Sequence, residues 1–94
     1  MEIIMDCVSP HVTAPKRDVH RLDWLPAWSS GRVRVIAWTC YCRDTAYELC
    51  YASGGAFIRR TTTQAARAEV RETYPLALDE AGEMWVSLLS GRVL

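Results

Sequence analysis

Lysine, phenylalanine and net charge are scarce in this chain of 94 residues. Lys16 is the single lysine beside ten arginines, Phe57 is the single phenylalanine beside four tryptophans, and eleven basic residues balance eleven acidic ones. A general nucleic-acid binder carries a basic excess, so the zero net charge argues against that class of protein. No apolar run approaches the ~20 residues that span a bilayer, so no membrane partner is expected.

Catalytic patterns are also missing from the sequence. His11 and His20 are the only histidines, and neither is placed by a motif beside a serine or cysteine that it could activate. The acidic residues Asp79, Glu80 and Glu83 are explained by the start of a helix, where the helix dipole favours acids. We therefore predict a protein that is not an enzyme and that uses no cofactor.

The N-terminal stretch carries no signal for secretion. Glu2 and Asp6 interrupt its apolar residues and no basic residue precedes them, whereas a signal peptide needs a basic start and an unbroken apolar run. This predicts a cytoplasmic protein whose thiols stay reduced. Pro10 and Pro15 stand in a stretch without periodicity, so residues 1–17 are predicted to be a flexible arm and residues 18–94 a single domain.

Residues rich in β-branched and aromatic side chains fill the middle of the chain, which predicts strands. The predicted strands cover residues 33–42, 45–53, 56–62 and 69–74. Arg43–Asp44 and Gly54–Gly55 are the expected two-residue turns, which place Trp38 opposite Leu49 and Tyr51 opposite Ile58. The predicted core face of the sheet carries these four residues together with Ile36, Cys40 and Tyr47. A helix that starts at Gln64 with Thr63 as its cap is the alternative to a loop over residues 63–68 followed by the fourth strand. Asp18 is expected to cap a short helical turn that Pro26 ends.

Helical periodicity is clearest near the C-terminus. Apolar residues recur at helical spacing on one stripe, namely Ala81, Met84, Trp85, Leu88 and Leu89. Asp79 is predicted as the N-cap and Gly91 as the residue just past the helix. A sheet and a helix with one apolar face each pack on one another. The predicted fold class is α+β, a small antiparallel meander of three or four strands packed by one C-terminal helix.

Cysteines form the one pattern that points to a metal. Cys40 and Cys42 are separated by one residue, Cys50 follows in the next predicted strand, and Cys7 lies in the arm. Zinc takes four ligands in a tetrahedron, most often from paired Cys and His residues. We keep a zinc- or thiol-based sensor built on Cys40, Cys42 and Cys50 as an alternative, while buried cysteines that act as small apolar residues are the default interpretation.

Arginines are concentrated in the predicted sheet. Arg32 and Arg34 belong to the first strand region, and Arg59 and Arg60 stand side by side on the third strand. They are candidates for contact with a partner protein or, weakly, with phosphates of nucleic acid. Exposed strand arginines that contact only solvent are the alternative interpretation.

Apolar residues outnumber those that one sheet and one helix can bury. A single helix covers one face of the sheet, so side chains on the second face and on the preceding segment need another cover. The residues predicted to form such an interface are Trp24, Trp28, Val33, Val35, Tyr41 and Phe57. Burying them against a second copy of the chain predicts a homodimer.

Several short motifs together resemble small actinobacterial proteins of the BldB type. They are Trp28-Ser29-Ser30-Gly31, Glu48-Leu49-Cys50, Gly54-Gly55 leading into Phe57-Ile58-Arg59-Arg60-Thr61, and a terminal helix bearing Trp85. The resemblance runs over about residues 28–91. It implies a small, self-associating, non-enzymatic regulator of development and antibiotic production, with a helix-turn-helix regulator as a possible partner. The predicted function is therefore a cytoplasmic homodimeric regulatory protein that influences transcription or development through a DNA-binding partner.

Overall fold

A five-stranded antiparallel sheet with one helix packed on it makes up the protein, as described for residues 9–94 by a computed structural model. The elements are β1 (Leu25–Pro26), β2 (Arg34–Trp38), β3 (Thr45–Ala52), β4 (Gly55–Gln64), β5 (Arg67–Glu72) and α1 (Leu78–Leu89). Their order across the sheet is β1-β5-β4-β3-β2. The predicted α+β fold is confirmed, with five strands in place of three or four.

The hairpin of β3 and β4 forms the centre of the sheet. Leu49 lies opposite Ile58 and Ala52 opposite Gly55, so Ser53 and Gly54 are the two turn residues. The predicted register is wrong by two residues, but a shift of two keeps Ile58 on the expected face because strand side chains alternate. Gly55 belongs to β4 and not to the turn, and it is tightly packed there, because a Cβ on it would lie 3.0 Å from the carbonyl oxygen of Leu76.

The predicted register of β2 is wrong by two residues before the irregularity between Val35 and Ala37 and by one residue after it, so only the end of the strand reverses its faces. Trp38 lies opposite Glu48, and Ala37 lies opposite Leu49 after an irregularity in the strand. Residues 39–44 form a six-residue connection, not a two-residue turn, because Thr39 is bonded to Tyr47. The Thr39 N–H donates to the Tyr47 carbonyl at 2.9 Å, and the Tyr47 N–H donates to the Thr39 hydroxyl oxygen at 2.9 Å.

The core lies between α1 and the face of the sheet that carries Tyr47, Leu49 and Ile58, which we call the first face. Its buried members from the helix are Ala81, Trp85 and Leu88, as the helical spacing predicts. At ~25 cal/mol per Å² of apolar surface, this contact is the main stabilising contribution of the helix. Exposed Ile36, Trp38 and Tyr51 were expected in this core, and that part of the prediction is wrong.

The predicted C-terminal end of α1 is confirmed, but its predicted start is wrong. Ala77 is the N-cap and Asp79 lies inside the first turn, so the predicted cap is displaced by two residues. The Glu80 carboxylate accepts a 3.3 Å hydrogen bond from the Ala77 N–H and replaces a capping side chain. Gly91 follows the helix with φ +79°, as predicted, and its N–H donates to the Leu88 carbonyl at 3.1 Å.

The segment before β2 is extended, and the predicted helical turn from Asp18 is wrong. The His20 N–H donates to the Arg92 carbonyl at 3.0 Å, and the Leu22 N–H donates to the Leu94 carbonyl at 2.7 Å. A helix of one or two turns is marginal by itself, so these long-range hydrogen bonds decide the conformation. Residues 1–8 of the predicted arm lie outside the described residues, and its flexibility stays a prediction.

A tight turn with two alanines joins β4 to β5. Gln64 lies opposite Arg67, and Ala65 and Ala66 adopt φ values of +50° and +65°. Residues with a Cβ avoid this region, at a cost of roughly 1–2 kcal/mol each. The helix considered as an alternative from Thr63 is therefore absent, and a strand follows the turn as preferred in the prediction, from Arg67 to Glu72.

Candidate functional site

The connection between β2 and β3 presents two cysteines to the N-terminal segment. Thr39 is buried and anchors the start of the connection on Tyr47. The next residue, Cys40, donates its N–H to the carbonyl oxygen of Pro10 at 2.8 Å. This hydrogen bond joins residues that are thirty positions apart and places His11 beside the cysteines.

His11, Cys40 and Cys42 form a compact group of metal-ligating side chains. One nitrogen of His11 and the two sulfur atoms all lie within 4.8 Å of one another. The Nε2 atom of His11 lies 3.1 Å from the Sγ atom of Cys42. His11 and Cys40 are half-buried and Cys42 is exposed, so the group lies at the surface. It is the one group of three or more His, Cys, Asp or Glu ligands found in residues 9–94.

The donor set of this group fits zinc. Zinc bonds of about 2.3 Å to sulfur and about 2.0 Å to nitrogen hold tetrahedral ligand atoms about 3.5–3.8 Å apart. The observed atoms need shifts of about an ångström or less to reach that spacing. Two thiolates and one imidazole are soft and borderline donors, which favours Zn²⁺ over Mg²⁺ or Ca²⁺.

Cys50 is not part of this group, although the sequence hypothesis included it. It lies inside β3 opposite Phe57, on the second face of the sheet, and is fully buried. Burial raises the pKa of the Cys50 thiol to about 11; the positive charge of Arg59 lowers it, and the two neighbouring carboxylates raise it further. The thiol is therefore protonated at neutral pH and acts as a small apolar residue.

His11 is the ligand that sequence reasoning missed. The predicted register placed Cys40 and Cys42 within a strand, and His11 was assigned to the arm. The signal that could have identified it is the spacing Cys7-x-x-x-His11 beside Cys40-x-Cys42, since zinc ligands commonly come in such close pairs. Cys7 lies outside the described residues.

The paired arginines of β4 are engaged within the chain on opposite faces of the sheet. Arg59 on the second face bonds Glu48 at 3.2 Å and Glu72 at 3.1 Å. Burial alone would lower the pKa of Arg59, but its hydrogen bond to Glu72 and the neighbouring negative charges raise it. Arg60 on the first face lies over the Trp24 ring, 4.7 Å from its centre. Exposed Arg32 and Arg34 remain as candidates for contact with a partner.

Glu72 is the centre of a buried polar cluster on the second face. Its side chain is 1% exposed, and it accepts hydrogen bonds from the N–H groups of Trp28 and Ser29, both at 2.8 Å. The Ser29 hydroxyl donates at 2.6 Å and Arg59 at 3.1 Å. Burial would raise the pKa of Glu72, but the hydrogen bonds from Ser29, Trp28 and Arg59 outweigh it, so the pKa is lowered.

The segment around Trp28 covers the second face. The Trp28 ring lies 4.8 Å from the ring of Phe57, and its Nε1 donates to the Thr73 carbonyl at 2.9 Å. Phe57 is 0% exposed, so the expectation that it lacks a cover within the chain is wrong. The segment before β2 folds back over this face and supplies the cover.

The other residues of the predicted interface are distributed between the core and the surface. Trp24 is half-buried, with its ring 5.9 Å from that of Tyr47. Val33 and Val35 are half-buried, and Tyr41 is 59% exposed. Large exposed apolar side chains lie on and beside the edge strand β2, with Trp38 on the second face and Tyr51 on the first. We call this group the edge patch: Ile36, Trp38, Tyr41 and Tyr51.

Comparison with known proteins gave no family: no protein-family model, no curated protein and no solved structure matches the chain. Within residues 9–94, the length and apolarity required to cross a bilayer are not met by any helix.

Proposed function

We propose that the chain is a small zinc-binding protein, with His11, Cys40 and Cys42 as ligands. The observation that carries this proposal is the meeting of three zinc-type donors within 4.8 Å, brought from two segments that are far apart in sequence. Zinc ligands must be deprotonated and held close together. Zinc binding to such a group therefore also stabilises the folded arrangement that holds them. We further propose a regulatory, non-enzymatic role in the cytoplasm, where reducing conditions keep cysteines available to a metal.

Zinc titration of the purified, reduced protein tests this proposal. We expect one zinc ion per chain by native mass spectrometry, and Cys42→Ser should weaken binding by about 100-fold or more because it removes a thiolate ligand. Competition with a chromophoric chelator measures the affinity. Cys50→Ala and His20→Ala are the matched controls and should bind as the unaltered chain does. A protein that takes up no zinc, or a Cys42→Ser variant with unchanged affinity, would contradict the proposal.

The ligand set can be completed by two further variants. His11→Ala should lose affinity as Cys42→Ser does, because its Nε2 lies 3.1 Å from the Cys42 sulfur. Cys7→Ser measures whether this cysteine, four residues before His11 in the sequence, supplies another thiolate. Cobalt substitution identifies the number of sulfur ligands, because thiolate-to-cobalt charge-transfer absorption grows with each sulfur.

Self-association through the edge patch is a second candidate function. The Trp38 side chain is 44% exposed and Tyr41 is 59% exposed, beside a strand with no neighbour on its outer side within the described chain. The zero formal net charge of the chain gives two copies no overall repulsion. We propose a second copy of this chain as the occupant, which agrees with the resemblance to BldB-type regulators. A helix-turn-helix protein would then be a further partner of the dimer.

Light scattering of the eluted protein tests the dimer. We expect twice the chain mass of 10.6 kDa, and Trp38→Asp should shift the protein to the monomer because it places a charge in the apolar contact. Val86→Asp is the matched control, since Val86 is 59% exposed on α1, away from β2. A monomer at every concentration, or a Trp38→Asp protein that remains dimeric, would contradict this candidate.

The adjacent arginines Arg59 and Arg60, the main reason to consider nucleic-acid binding, do not form a common basic surface. Arg59 and Arg60 face opposite sides of the sheet, and each has a partner within the chain. Arg32 and Arg34 alone do not form the extended basic surface that phosphate binding needs, and we do not carry this hypothesis further.

A further inference from the structure

Residues 9–16, which we call the N-terminal strap, lie against the domain without forming a strand or helix. The Thr13 N–H donates to the Leu89 carbonyl at 2.9 Å and the Lys16 N–H to the Gly91 carbonyl at 2.9 Å, near the end of α1. At its other end, the Pro10 carbonyl accepts the hydrogen bond from Cys40. Between these points, Val12 is the side chain that packs against the core.

These attachments are few for the length of backbone that they order. Residues 13–16 are exposed, so little apolar surface is removed from water along this stretch. The loss of backbone freedom on ordering eight residues opposes the small net gain of three backbone hydrogen bonds, the exposed contact between His11 and Cys42, and one half-buried valine. An additional bond that forms only when the strap is closed therefore has a large effect on the fraction of molecules in which the strap is closed.

The His11, Cys40 and Cys42 group is such a link. His11 belongs to the strap, whereas the two cysteines belong to the connection that Thr39 anchors on β3. A metal ion bound to all three cross-links the strap to the sheet. Because the ion needs His11 beside the cysteines, it binds the closed arrangement in preference to the open one, and it shifts the equilibrium by that difference in affinity.

We propose that zinc occupancy controls whether the N-terminal strap is closed on the domain, an inference that rests on the proposed zinc site. In the closed arrangement, the strap walls a cavity of about 620 Å³ together with Tyr47, Arg43 and Leu94. On loss of zinc the strap dissociates, the cavity loses its wall, and the core surface under Val12 meets solvent. The site then acts as a metal-dependent switch of the accessible surface.

Three amides report the state of the strap directly. The N–H groups of Thr13, Lys16 and Cys40 are the donors of the hydrogen bonds that close it, so hydrogen exchange followed by NMR measures the opening at each. We expect removal of zinc by a chelator to speed their exchange at least tenfold. The amide of Ala56, which donates to the Leu76 carbonyl within the fold, is the internal control and should keep its rate.

The outcomes separate this inference from the zinc site itself. Cys42→Ser in the presence of zinc should show the fast exchange of the zinc-free protein at all three amides. If zinc binds at one ion per chain and the three amides exchange equally with and without it, the switch is overturned and the zinc site stands. If zinc removal accelerates Ala56 as much as the strap amides, the metal holds the whole fold, and the local switch is likewise overturned. A chain that binds no zinc overturns both.

Discussion

Glu72→Gln is expected to lower the free energy of unfolding by about 3 kcal/mol, since it removes the charge from a buried, fully bonded cluster. The carboxylate accepts hydrogen bonds from Trp28, Ser29 and Arg59, and an amide at the same place puts an N–H₂ group against donors. Urea denaturation measures the change. Glu69→Gln is the matched control, because Glu69 is 59% exposed and pairs with Arg71 at the surface, where ion pairs contribute little.

The pH dependence of the same variant follows from the lowered pKa of Glu72. A carboxyl whose pKa is lower in the folded state contributes stability in full above its unfolded value, ordinarily 4.5, and loses it as the pH falls through the folded value. The difference between the unaltered protein and Glu72→Gln should therefore be constant near neutrality and shrink in acid below that value. A difference that grows on acidification, or a Glu72→Gln loss no larger than that of Glu69→Gln, would contradict this account of the cluster.

Gly91→Ala is expected to lower the free energy of unfolding by about 2 kcal/mol, the sum of backbone strain and of the small free energy that keeps the strap closed. Gly91 adopts φ +79°, which strains any residue with a Cβ, and a Cβ there would lie 2.5 Å from the carbonyl oxygen of Ala14. The strap would have to move from the end of α1 and lose the hydrogen bonds from Thr13 and Lys16. Thermal or urea unfolding measures the loss.

Alanine variants of two other glycines distinguish the cost of backbone strain from the cost of the close contact with Ala14. Gly31 has a similar φ of +73°, and a methyl group added there would meet nothing within 4 Å, so Gly31→Ala should cost about 1 kcal/mol from strain alone. Gly82 lies within α1 in open space, and Gly82→Ala should raise stability by up to about 1 kcal/mol. If Gly91→Ala and Gly31→Ala lower the free energy of unfolding equally, the contact with Ala14 contributes nothing to the effect.

The sequence predicts the parts of the fold that depend on residues close together in the chain, such as the apolar stripe and the end of α1. The stripe of Ala81, Trp85 and Leu88 and the glycine after α1 are properties of neighbouring residues, and both predictions are confirmed. The register of β2 was not predictable in this way, since it depends on the bond between Thr39 and Tyr47 across the connection. The cover of Phe57 by Trp28 was missed because it joins residues that no periodicity relates.

The candidate metal site also has one part that the sequence indicates and one part that depends on a contact between distant segments. Cys40 and Cys42 were recognisable as a pair because one residue separates them in the sequence. His11 is brought to them by the hydrogen bond between Cys40 and Pro10, a contact between distant segments. Cys50 lies on the second face of the sheet, away from this group, as the alternation of side chains along its predicted strand already indicated.

The turn of Ala65 and Ala66 has a consequence for the order of folding. Closing that turn forces two residues with a Cβ into an unfavourable backbone region, whereas at the turn between β3 and β4 the positive φ belongs to Gly55, which has no Cβ. We expect the hairpin of β3 and β4 to form first and β5 to join it late. Glu72 lies on β5, so its cluster is absent from the transition state, and the loss expected for Glu72→Gln appears as faster unfolding with a nearly unchanged folding rate.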